Sequence, residues 1–159
     1  MSTISETGAG SPQLTGRGSL TDVWAPRVLS LLRIMAALLF IEHGLMKLIA
    51  FPAAQPGAPN PLPLMLIVAA LIEVIGGGLL AAGLFTRVTA FIASGEMAIA
   101  YFMVHAQSGF WPALNHGEPA ILFSFIFLYL AFAGAGSWSL DATWVVRTRG
   151  APTRVIPQI

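Results

Sequence analysis

Cysteine is absent from this chain of 159 residues. Its absence removes thiolate nucleophiles, disulfide exchange and Cys-held metal or iron–sulfur centres, and with them any thiol-based quinone-coupled oxidoreductase mechanism. Charge is nearly as scarce. Only 9% of the residues are charged and 56% are hydrophobic, whereas a soluble domain carries about 25% charged residues to keep its surface wet. The surface itself must therefore be apolar, and the lipid bilayer is the implied solvent and first partner. No nucleic-acid partner and no metal site are expected.

What the chain has instead is long apolar runs. Residues 1–26 hold Ser, Thr and Gly but no apolar run. They lack the basic start and apolar core of a secretory signal, so a disordered cytoplasmic tail is expected there. The first apolar stretch, 28–51, is long enough at ~1.5 Å per residue to cross a ~30 Å hydrocarbon layer. Pro52, Pro56, Pro59, Pro61 and Pro63 end it, because clustered prolines cannot continue a helix. Further stretches run over 62–84, 88–106 and 119–135, and a polar, arginine-bearing tail covers 142–159. In lipid every backbone polar group needs an internal partner, so these segments must be helices. Short connections and the lack of an internal repeat predict one domain over 27–141, an all-α integral membrane four-helix antiparallel bundle. Residues 138–146 form a candidate interfacial helix.

Orientation follows from the arginines. Arg17, Arg27, Arg87, Arg147, Arg149 and Arg154 all fall in the two tails and the loop after the second stretch, and the other two loops hold no Lys or Arg. The positive-inside rule then puts both termini in the cytoplasm. Trp24, Trp111, Trp138 and Trp144 fall at span ends, where indole rings prefer the headgroup layer.

An ionisable side chain inside a span is costly and needs an account. Arg33, one turn in from the cytoplasmic end, is read as an interface anchor that snorkels. His43 and Lys47 share a helix face in the outer half of the first span, with Glu42 about 100° away; an ion-paired cap that steadies the bundle is the plain alternative to a binding role. Glu73 lies near mid-membrane on the face that carries Ala69, Ala70, Gly76 and Gly77, a small-residue seam where a neighbouring helix comes close. Of all these groups Glu73 is the strongest functional candidate. Glu96 and His105 are nine residues apart, which puts them on nearly opposite faces of a straight helix. The pattern does not choose which of them lines the interior. In the loop Asn115-His116-Gly117-Glu118-Pro119, Glu118 suits the first turn of a helix and His116 a solvated position. Glu42, His43, Lys47, Glu73, His105, His116 and Glu118 all belong to the middle or outer part of the bilayer. Such one-sidedness suggests a polar pocket between helices, open towards the outer face.

Several motifs together resemble the DoxX family of small four-span bacterial membrane proteins. They are Arg33 with Leu39-Phe40-Ile41-Glu42-His43-Gly44-Leu45-Met46-Lys47, Glu73-Val74-Ile75-Gly76-Gly77 with Gly83-Leu84-Phe85-Thr86-Arg87, His105 with Gly117-Glu118, and Gly134-Ala135-Gly136-Ser137-Trp138-Ser139-Leu140-Asp141. They span residues 28–141. The resemblance implies a compact four-helix domain in the bacterial inner membrane. His43, Lys47, Glu73, His105 and Glu118 would stand at the family's polar positions, whereas Glu96 has no place on the motif. The family is loosely tied to redox work. Relatives serve as the membrane subunit of a thiosulfate:quinone oxidoreductase and as membrane partners of detoxifying enzymes under oxidative stress.

The function expected from these readings is a redox-associated subunit that binds a quinone, with an oxidoreductase or stress-response enzyme as its partner. Electrons would have to come from that partner, because the chain has no Cys, no dinucleotide-binding glycine motif and no flavin motif. Haem is disfavoured as a cofactor, since no two of His43, His105 and His116 lie deep in facing spans at matching depth. The competing classes are a small-solute or proton-coupled carrier and a non-catalytic membrane scaffold. Four short spans without repeats or broken helices make alternating access difficult unless the protein forms a homo-oligomer.

Overall fold

A computed structural model describes residues 20–143; the expectations for residues 1–19 and 144–159, including Trp144, lie outside that range. The described chain is helical. The first helix, Leu20–Ile49, is followed by the proline-rich loop, a second helix Leu64–Ala82 and a third Thr86–Ser108. A four-residue turn of helix, Pro112–Asn115, precedes the last helix, Glu118–Ala133.

The first helix begins earlier than the sequence suggests. Residues 20–26, expected to be tail, are helical, and Pro26 lies inside the helix. The carbonyl of Pro26 accepts hydrogen bonds from Ser30 Oγ at 2.9 Å and from the backbone N–H of Ser137 at 3.2 Å. Asp22 in the first turn suits the positive end of the helix dipole. The first three long helices have the length and composition to span a membrane, whereas the last has 16 residues. At ~1.5 Å per residue it is ~24 Å long, shorter than a ~30 Å hydrocarbon core. It packs along the third helix, as the first helix packs along the second. The core between them and the first helix is aromatic: Phe40 meets Phe127 edge-on at 4.8 Å, and Phe123 stacks on Phe127 at 5.7 Å.

Close approach of the first two helices depends on glycine. A Cβ at Gly44 would come within 2.7 Å of Val74 Cγ2 and 2.9 Å of the Ala70 carbonyl, and one at Gly77 within 3.1 Å of the Ala37 carbonyl. Of the expected seam, Ala70, Glu73, Gly76 and Gly77 are buried, whereas Ala69 is half-buried.

Arg33 is not a snorkelling anchor. It is fully buried, and its guanidinium donates to four backbone carbonyls: Leu80, Ala81 at 2.8 Å, Ala135 at 2.8 Å and Trp138 at 2.5 Å. The last turn of the second helix and the segment after the last helix both leave carbonyls without helical partners. Arg33 satisfies them because a guanidinium offers five donors in a fixed fork. Asp141 supplies the nearby opposite charge, and its carboxylate also accepts the backbone N–H groups of Phe85 and Thr86, both at 2.9 Å, at the start of the third helix. Ser139 Oγ in turn accepts the N–H of Ala142 at 3.1 Å, opening a turn of helix at residues 140–143 where the interfacial helix was expected. One network thus ties the middle of the first helix and the start of the third to the ends of the second and last. This makes neighbours run antiparallel.

Arg33→Ala strands the Ala81, Ala135 and Trp138 carbonyls, while that of Leu80 keeps the Gly83 N–H at 3.0 Å, and hydrogen bonds to a charged group contribute ~1.5–3 kcal/mol each. The detergent-solubilised variant is expected to lose at least ~3 kcal/mol, read as a lowered melting temperature, with Arg33→Lys in between. An Arg33→Ala protein as stable as the wild type would contradict this role.

Candidate functional site

Away from this network the second helix is interrupted midway by a five-residue π-turn, Ile72–Gly76, and the third near its far end by another, Tyr101–His105. A π-turn inserts one extra residue, so later side chains are rotated by about 100° from their straight-helix direction. For His105 that rotation decides the outcome. The straight-helix expectation set it opposite Glu96, yet both border the same cavity.

The cavity holds about 660 Å³. The first helix contributes His43 and Lys47, the second Met65, Val68, Ile72 and Glu73, and the third Phe91, Glu96, Ile99, Met103 and His105. Residues 55–59 of the proline loop and His116, Pro119 and Phe123 complete it. Glu73 is 1% exposed and Lys47 10%, and Lys47 Nζ bonds Glu73 Oε1 at 2.5 Å. The close glycine contacts of the first two helices set this reach. Glu73 Oε2 and Glu96 Oε2 are both buried, and no described residue hydrogen-bonds to either. The charges of Glu73 and Lys47 both act on Glu96, so the three form one electrostatic cluster. The ring of His43 stands edge-on to Phe123 at 5.9 Å, which fixes its plane.

His105 is held from outside the cavity. Its Nδ1 lies 3.1 Å from the carbonyl oxygen of Asn115, and because a carbonyl only accepts, Nδ1 carries the proton. Asn115 is buried and locked in turn: its Nδ2 donates to the Gly109 carbonyl at 2.8 Å, and its Oδ1 accepts the Gly117 N–H at 2.8 Å. Nothing in the sequence pattern singled out Asn115; its place two residues before a Gly-Glu-Pro helix start is the signal that was available. Gly117 has to be glycine, since a Cβ would meet the Tyr101 ring at 2.6 Å.

The structure therefore brings His43, Lys47, Glu73, Glu96, His105 and His116 to one cavity. It does not bring Glu42 or Glu118 there. Both are exposed and absent from the cavity wall; Glu42 is turned about 100° from His43 on the same helix, and Glu118 sits in the first turn of the last helix, where the dipole alone accounts for it.

A family model described as DoxX matches residues 28–106. A protein of Haemophilus influenzae (strain ATCC 51907 / DSM 11121 / KW20 / Rd), described as an uncharacterized protein, is 48% identical over 124 residues, covering 76% of this chain and 92% of its own length. The chain belongs to the DoxX family. The part that matches the DoxX model holds His43, Lys47, Glu73, Glu96 and His105, whereas Glu118 lies beyond it. No solved structure matches the chain.

Lys47→Met leaves the Glu73 carboxylate buried without its partner, a change that costs ~3–5 kcal/mol in protein interiors. The double variant Lys47→Met/Glu73→Leu is expected to recover most of that loss in thermal melts. Losses that simply add would contradict a direct Lys47–Glu73 coupling.

Proposed function

We propose that this DoxX-family membrane protein is a redox-associated subunit of the bacterial inner membrane that takes a quinone-like molecule into the cavity between its helices. The carrying observation is the composition of that cavity. Its volume of about 660 Å³ falls within the ~300–1,000 Å³ usual for small-molecule sites, and its wall has their pattern, mostly aliphatic and aromatic with a few convergent polar groups.

The residues suit such a guest. Lys47 commits one N–H to Glu73 Oε1, which leaves two of its three donors for a ring carbonyl. Reduction of a quinone takes up two electrons and two protons, and Glu73 and Glu96 are the buried carboxyl groups able to hold and pass protons. Met65, Met103 and Phe91 line the apolar part, and methionine adapts its shape to a flat guest. Electrons come from a partner, a soluble oxidoreductase or stress-response enzyme, since the chain carries no redox-active thiol of its own. With both termini cytoplasmic, as the arginine distribution favours, the cavity belongs to the outer half of the bilayer.

Mass spectrometry of the lipid-soluble molecules that co-purify with the protein tests this reading. Wild type is expected to retain a quinone, and His43→Ala and Glu73→Gln to lose it. Equal retention by both variants would remove the cavity as the binding place.

A further inference from the structure

The cavity is open on one side. Residues 72–82 of the second helix pack against the third, whereas its first two turns, Leu64–Leu71, pack against the first helix. The second and third helices thus part towards that end and leave a gap. Met65 and Val68 form one lip of it, and Phe91, Ile92, Ile99 and Met103 the other. All six line the cavity and yet are 47–64% exposed, so the cavity meets the bilayer sideways through the gap. The lips carry no charge. Along the third helix they extend ~18 Å at ~1.5 Å per residue. Between them Gly95 also borders the cavity, and a Cβ there would meet no atom within 4 Å. Unlike Gly44 and Gly77, Gly95 serves no close helix contact; its missing side chain leaves the gap unobstructed.

We infer that the guest is a membrane-dissolved molecule with one long alkyl or isoprenoid chain. Its polar ring sits at Lys47, Glu73 and Glu96, and its chain lies in the gap between the second and third helices and runs on into the bilayer. This rests on the proposed quinone site and adds the other half of the ligand and its route of entry. The depth of the polar groups decides for such a molecule. Glu73 and Glu96 each lie ~13 Å or more from both ends of their helices, near the middle of a ~30 Å hydrocarbon core. A phospholipid that slid into the gap would offer them only methylene groups at that depth, because its polar head stays in the headgroup layer. Buried polar groups gain no hydrogen bond from methylene. A ring at the end of a single chain brings polar atoms to mid-membrane and leaves an apolar chain against apolar lips. It also reaches the cavity from the lipid without its ring crossing the headgroup layer.

The test is binding of a decyl-substituted and a methyl-substituted benzoquinone to the full-length protein in lipid nanodiscs, each counted per bilayer lipid so that partitioning cancels. Gly95→Trp fills the gap. Gly78→Trp is the control, because Gly78 has equally open surroundings on the second helix but does not border the cavity. Both replace a helical glycine, a poor helix former, so neither is expected to lower the melting temperature. Gly95→Trp is expected to weaken the decyl compound at least about tenfold and the methyl compound by about threefold or less, a contrast of at least ~0.7 kcal/mol. Gly78→Trp is expected to change neither. Unchanged decyl binding in Gly95→Trp, or equal weakening of both compounds, would overturn the inference and leave the quinone site standing. Failure of wild type to bind either compound would overturn both. A second measurement needs no variant: a diazirine at the end of the decyl chain is expected to label Met65, Val68, Phe91, Ile92 or Ile99 of wild type. Labelling confined to residues 55–59, or absent from the lips because a second copy of the chain closes them, would overturn the inference. So would labelling of the lips by a diazirine-bearing phospholipid that saturating decylbenzoquinone does not diminish.

Discussion

A lysine bonded to a glutamate is an expensive object inside a membrane protein, because neither charge finds water and hydrocarbon offers no partner. The bond between Lys47 and Glu73 exists here because two helices come close enough for a side chain to cross from one to the other. Gly44 and Gly77 have no room for a Cβ, so the backbones approach, and the π-turn at Ile72–Gly76 carries Glu73 at the resulting seam. Everything that follows at that end of the bundle depends on this contact. It brings two helices' polar groups to one cavity wall and leaves Glu73 Oε2 without a donor.

The other end is built on the opposite logic. Arg33 and Asp141 are spent on structure, with the guanidinium closing four carbonyls and the carboxylate closing two N–H groups. Among the described residues no acceptor of that network is left stranded apart from the Thr86 hydroxyl. A satisfied polar network makes a rigid base, whereas at the other end Glu73 Oε2 and Glu96 Oε2 have no donor among the described residues. The bundle thus has one end that fixes the helices and one end that holds the cavity.

Much of this was legible beforehand, for identifiable reasons. Scarce charge and long apolar runs gave the helical membrane architecture, and the small-residue face around Glu73 gave the seam, because helical periodicity governs both. Three things were not legible. Arg33 looked like an anchor since its distance from the helix end allows snorkelling, and only the fold brings the Leu80, Ala81, Ala135 and Trp138 carbonyls around it. Glu96 and His105 could not be reconciled on a straight helix, because π-turns leave no reliable mark in a single sequence. Glu42 was grouped with the cavity on depth, and Glu118 on depth and on the family resemblance, and neither fixes which way a side chain points.

The claim on which this account rests most heavily is that the cavity beside the Lys47–Glu73 pair is where a small aromatic ring sits. An experimental structure of the protein in lipid nanodiscs, loaded with the quinone–hydroquinone couple, addresses it directly. The expected result is ring density bounded by Glu96, His105 and Phe91, with its oxygens within hydrogen-bond distance of the two glutamates. A cavity filled by a lipid acyl chain, with the ring bound elsewhere or not at all, would contradict it.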